Sequence, residues 1–154
     1  MPFFYDDLAV GRVFKLPART VTESDLVGFA MLSGDWNPIH TDREFATDTI
    51  YGQPVVYGLL SLIMMTGLMD RSGIFSGSAI AMLDITEWRF EKAVFVGDTL
   101  SATVEIVSKR LTSSGDRGVV DRLFRITNQR GEVVQIGHIG LMIRLSPQQT
   151  EVAR

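Results

Sequence analysis

The chain has 154 residues, 45% of them hydrophobic and 21% charged, a length that fits one domain with a substantial buried core. It contains no cysteine, which excludes disulfide and thiolate chemistry and fits a reducing cytoplasm. A net charge of −3, with no run of Lys or Arg longer than two, argues against nucleic acid as a partner.

From Met1 to Asp7 no basic stretch leads into an apolar one, so no secretory leader is expected. Arg12 to Val21 has the length of one strand. Thr22-Glu23-Ser24-Asp25 reads as a helix start, with Thr22 as N-cap and Asp25 in the capping-box position. Leu26, Phe29, Ala30 and Leu32 follow at helical spacing, and Gly34 is the stop. A loop is expected from Asp35 to Thr41, then a short helical turn from Arg43 to Thr47. Pro54 precedes an apolar segment, Val55 to Met69, which falls short of the roughly 20 apolar residues of a membrane span. Being hydrophobic all round apart from small polar residues, it predicts a helix enclosed by other structure and ended by Asp70-Arg71-Ser72-Gly73.

After Gly77 the period changes to two. Strands are expected over Ala79 to Phe90, around Leu100, Ala102, Val104 and Ile106, around Val120, Arg122, Phe124 and Ile126, and over Val133 to Leu145. Helices followed by strands imply an α+β fold: a curved antiparallel sheet wrapped around one long central helix.

One of the two histidines lies in the densest polar cluster, Ser33-Gly34-Asp35-Trp36-Asn37-Pro38-Ile39-His40-Thr41-Asp42. On a regular helix Asp35 and His40 would point about 140° apart. Pro38 breaks that geometry and lets the chain turn, so the carboxylate and imidazole can converge on one water. By itself Asp-x-Asn-Pro is equally a structural turn, since Asx side chains cap their own backbone. His138, between Gly137 and Gly140 with no carboxylate near it in sequence, reads as structural. Trp36 and Trp88 read as packing residues, and Met64, Met65 and Met69 as core that could line an acyl tunnel.

The cluster, continued to Phe45-Ala46, resembles the signature of the MaoC-like dehydratases, also called (R)-specific enoyl-CoA hydratases, with its Asp, Asn, Pro, His, second Asp and aromatic-Ala at the family spacing. Tyr51 to Gly58 resembles the family's lead into its central helix. Arg89-Phe90 through Val94 to Leu100 resembles its strand-turn-strand block. The resemblance implies a single hotdog domain over residues 1–154, with Asp35 and His40 activating water and the Gly58 N–H facing the thioester oxygen. A helix N-terminal N–H suits developing enolate charge, and glycine lets a ligand approach closely.

Asn37, Tyr57 and Thr66 are expected in substrate binding: Asn37 by orienting the loop or His40, though a plain turn residue would look the same, and the other two as departures from the family pattern. Tyr57 stands where the family usually has His, and Thr66 where some members have a pocket-lining Ser. Ala93 replaces a frequent proline. The expected partner is an acyl-CoA substrate, with no metal or redox cofactor, nucleic acid or membrane. Arg89, Lys92 and Arg144 are candidates for the CoA phosphates. Family members dimerise edge to edge, so a homodimer or dimer-based oligomer is expected, in the cytoplasm. Two rivals remain: a hotdog thioesterase, whose acid would sit near the central helix where only Asp70 is found, and a non-catalytic acyl-CoA-binding module.

Overall fold

The structure is a computed structural model that describes residues 1–147. After a 3-10 turn at Tyr5–Asp7 the elements are β1 (Val13–Lys15), β2 (Arg19–Thr20), α1 (Glu23–Ser33), α2 (Pro38–Thr41), α3 (Arg43–Thr47), α4 (Gly58–Ser72), β3 (Ala79–Phe90), β4 (Thr99–Leu111), β5 (Arg117–Thr127) and β6 (Val133–Arg144). The sheet is antiparallel, in the order β1-β4-β5-β6-β3, with β2 also paired to β4. The single strand expected over Arg12 to Val21 is two, because Pro17 lies between β1 and β2 and supplies no N–H to a ladder.

The predicted capping box is closed. Thr22 Oγ1 accepts from the Asp25 N–H at 3.3 Å, and Asp25 Oδ2 accepts from the Thr22 N–H at 2.9 Å. Gly34 ends α1 at φ 73°, a conformation open to glycine without strain. The central helix starts at Gly58, not at Val55. Val55 bridges Phe95 and the Val56 N–H donates to the Val94 carbonyl at 2.8 Å, so both valines are held extended and helix begins only after Tyr57. Strand pairing wins over helix at these β-branched residues.

The alternation read in the sequence is the burial pattern of the sheet. Leu100, Ala102, Val104 and Ile106 of β4, with Val120, Phe124 and Ile126 of β5, point inward to Leu60, Leu62, Met64, Met65 and Leu68 of α4. Arg122 shares that inner face. It is 5% exposed, its Nε donates to the Ile139 carbonyl at 3.2 Å, and its guanidinium lies beside Phe75 and Phe124. Burial lowers its pKa to about 10.

The expectation that α4 is enclosed on every side is corrected. Leu59 and Ile63 are 57% and 50% exposed, and β3 is exposed throughout except for the half-buried Trp88. Thr66, Met69 and Asp70 share a cavity with Ala79, while Gly58 and Leu59 share another with Phe90, so α4 and β3 flank one open, largely apolar surface. Within β3 a bulge between Thr86 and Arg89 places Glu87 at φ 51°, the one positive φ outside glycine among the described residues. The bulge sets Trp88 against Gly137, where a Cβ would lie 2.5 Å from the indole ring.

Candidate active site

The loop predicted to carry chemistry is built from successive caps. Asp35 Oδ1 accepts from the Asn37 N–H at 3.1 Å, and Asn37 Oδ1 accepts from the Ile39 N–H at 3.1 Å as N-cap of α2. Asp42 Oδ1 then accepts from the Phe45 N–H at 3.0 Å, capping α3. The segment expected as loop through Thr41 is therefore helical from Pro38, with Pro at N1, where its missing N–H costs nothing.

Two bonds fasten α2 to the strand leading into α4. The Val55 N–H donates to the Ile39 carbonyl at 3.1 Å, and His40 Nδ1 lies 2.5 Å from the Val55 carbonyl. A carbonyl only accepts, so Nδ1 is the donor in this bond and Nε2 is the ring nitrogen left for other partners.

Behind the imidazole stands Tyr57. Its ring lies 3.8 Å from the His40 ring at 30°, and its hydroxyl donates to the Asp35 carbonyl at 2.5 Å. Burial, and then the Asp35 charge, push the Tyr57 pKa upward, so the hydroxyl keeps the proton it donates. Asp35 and His40 thus meet through one shared neighbour.

His40 and Gly58 line the same cavity, of about 610 Å³, with Val56, Ser61, Phe90 and Gln135 among its walls. Tyr57 is the N-cap of α4 and gives it no side-chain cap, and among the described residues no acceptor engages the Gly58 N–H. That donor is unengaged at a residue that lines the cavity, with the macrodipole of a 15-residue helix behind it.

The remaining expected residues are placed differently. Asp35 and Asn37 are exposed beside the cavity, and neither forms part of its wall. Tyr57 is 3% exposed, packs its ring on that of His40 and is not part of the cavity wall. Thr66 lies toward the other end of α4, in a separate cavity with Met69, Asp70 and Arg122, and donates to the Ile63 carbonyl. Of the candidate cations, Lys92 is at the cavity wall but paired with Glu132 at 2.7 Å, and Arg89 is paired with Glu91 at 3.0 Å. Arg144 is opposite Arg117 at the far end of β6, about 30 Å from Gln135 at strand rise.

Trp36, expected to pack, is 55% exposed and borders a smaller cavity of about 340 Å³ on the His40 side. His138 has a carboxylate after all. Asp121 reaches its Nδ1 at 2.9 Å from the neighbouring strand, on the outer face. Gln135 and Ser61 were missed as site residues. Each had a weak signal, being a polar residue inside an apolar run.

The family model described as MaoC like domain matches residues 7–123. The chain belongs to the MaoC-like family. The (R)-specific enoyl-CoA hydratase of Aeromonas caviae is 32% identical to this MaoC-like chain over 130 residues, 84% of this chain and 91% of that one. An Archaeoglobus protein described as a monoamine oxidase regulatory protein superposes at TM-score 0.88 and 37% identity, covering 95% of this chain and 97% of its own. A Mycobacterium tuberculosis protein with a double hotdog fold superposes at TM-score 0.81 and 22% identity, covering 95% of this chain and 45% of that one. The MaoC-like chain accordingly has the α+β hotdog fold, and it is an enzyme of the hydro-lyase class.

Proposed function

We propose that the protein adds water to a trans-2-enoyl-CoA to give an (R)-3-hydroxyacyl-CoA, or runs the reverse reaction. The observation that carries this reading is the cavity lined both by an imidazole whose Nδ1 is held by the Val55 carbonyl, which leaves Nε2 for a water, and by the residue with the unengaged N–H at the start of α4. Asp35 and His40 hold the water. As its oxygen bonds C3, one proton passes to His40 Nε2 and the C2=C3 electron pair moves onto the thioester oxygen. Gly58 stabilises that enolate, and a proton returned to C2 completes the addition. No metal or redox cofactor enters the reaction so written. The (R) stereochemistry follows the name of the Aeromonas relative.

The working form is a homodimer joined along β3, whose open apolar edge continues onto Leu59 and Ile63 of α4. The cytoplasm is the proposed location, in keeping with a cysteine-free sequence. Among the described residues no helix is long and apolar enough to cross a membrane.

Loss of the conjugated absorbance of enoyl-CoA substrates, crotonyl-CoA first, tests the assignment. Asp35→Asn and His40→Ala should each lower kcat by roughly 10²–10⁴-fold. Full activity in both variants would remove these residues from the mechanism. A regulatory binding module is the second reading, favoured by the description of the Archaeoglobus neighbour. It predicts acyl-CoA binding with no turnover. A thioesterase would release free CoA, but Asp70 stands near the opposite end of α4 from Gly58.

A further inference from the structure

We propose that Ser61 is a second hydrogen-bond donor to the thioester oxygen, acting beside Gly58; this rests on the enoyl-CoA reading above. Ser61 follows Gly58 by one helical turn on the same face, and side chains of a helix tilt toward its N-terminus, so the hydroxyl projects toward the Gly58 end. It is 0% exposed, lines the cavity shared by His40 and Gly58, and its Oγ has no hydrogen-bond partner among the described residues.

That orphan state departs from the habit of this chain. A hydroxyl inside a helix ordinarily donates back to the carbonyl three or four residues earlier. Thr66 does so to Ile63 at 2.7 Å, Ser72 to Met69 at 2.6 Å, Ser33 to Phe29 at 2.7 Å and Thr47 to Arg43 at 2.8 Å. For Ser61 the carbonyl three residues back is that of Gly58, and it is already taken: Gln135 Nε2 donates to it at 2.9 Å. Gln135 is 2% exposed and held in place by Trp88, whose Nε1 donates to Gln135 Oε1 at 3.1 Å. The carbonyl four back, of Tyr57, already receives the N–H groups of Leu60 and Ser61.

Gln135 therefore keeps the Ser61 hydroxyl from closing on its own helix. A buried hydroxyl left unmade is destabilising, and an acyl oxygen arriving in the cavity supplies the missing acceptor. Phe90 gives the oxygen its way in. The ring packs on Gly58, where a Cβ would lie 2.6 Å from its Cε1, yet the residue is 55% exposed, so an outward rotation of the ring would open the path.

The test uses the full-length chain and Ser61→Ala. With an active enoyl-CoA, kcat should fall by about 10²-fold with KM within about threefold, the size of effect expected for one lost oxyanion donor. Thermal stability should hold or rise, because the variant removes an orphan hydroxyl. Isotope-edited infrared spectra of bound butyryl-CoA supply a readout free of turnover: the thioester carbonyl stretch should move to higher wavenumber in Ser61→Ala. An unchanged kcat overturns the proposal, as does a fall in kcat that comes with lost stability and an unshifted carbonyl. If the wild type turns over no enoyl-CoA but the carbonyl still shifts, the Ser61 contact stands and the hydratase reading falls.

Discussion

Replacing Tyr57 by Phe removes a single oxygen from a residue that is 3% exposed. That oxygen ties Asp35 to the floor of the site at 2.5 Å, while the ring that supports His40 at 3.8 Å stays in place. A hydrogen bond of this kind contributes about 1 kcal/mol net. The Asp35 carbonyl belongs to an exposed loop residue and turns to water, so no buried acceptor is stranded and no further penalty is added. Stability should fall by about 1 kcal/mol, lowering Tm by about 2–4 °C for a domain of this size. If the whole of that energy holds Asp35 beside His40 in the transition state, kcat falls about fivefold. KM should not change, because Tyr57 is buried against the two residues proposed to activate water and is not part of the cavity wall. Urea unfolding followed by tryptophan fluorescence, together with initial hydration rates, measures both quantities. A several-fold rise in KM at constant kcat would refute the reasoning and return Tyr57 to the acyl pocket.

Asp25→Asn should destabilise the fold by about 1 kcal/mol at neutral pH by weakening the capping box of α1. Burial pulls the Asp25 pKa upward, but hydrogen bonds from Thr22 and the Arg19 guanidinium outweigh it and hold the group below its ordinary 3.8. Its contribution is thus full above about pH 4 and is lost as pH falls through the folded value, so the Tm–pH curve of the variant should be flatter on its acid side; parallel curves would contradict this. Met82→Lys, at a β3 position 58% exposed, should convert the proposed dimer to monomer in light scattering. An unchanged mass would move the interface elsewhere.

Much of the fold was legible because its signals are local. The alternation from Leu100 to Ile106 needs only the two-residue repeat of a strand, and Thr22 with Asp25 needs only one helical turn. What escaped depended on distant partners. Val55 and Val56 look helical until Val94 and Phe95 pair with them. The apolar α4 was read as enclosed, but a hydrophobic pattern says nothing of what covers it, and Leu59 and Ile63 are open. The expectation of Tyr57 and Thr66 at the pocket comes from the family resemblance, as departures from its pattern. Rotation around α4 and distance along it send one beneath His40 and the other to a separate cavity. Gln135 acts on Gly58 from a strand at the other end of the chain, a relation no spacing rule reveals.

The place of β3 in the sheet also bears on how the chain is made. Of the four long strands it leaves the ribosome first, yet its neighbour in the sheet is β6, the last. Until β6 has been made, twelve residues bearing Ile80, Met82, Leu83 and Ile85 have neither flank occupied. Such a strand is a template for any other extended segment, so in expression the slow step to guard is the interval between β3 and β6. Once β6 docks, one flank is still open, and closure by a second chain, as in the proposed dimer, would make crowding with its own kind protective and extreme dilution the condition that sets the strand free.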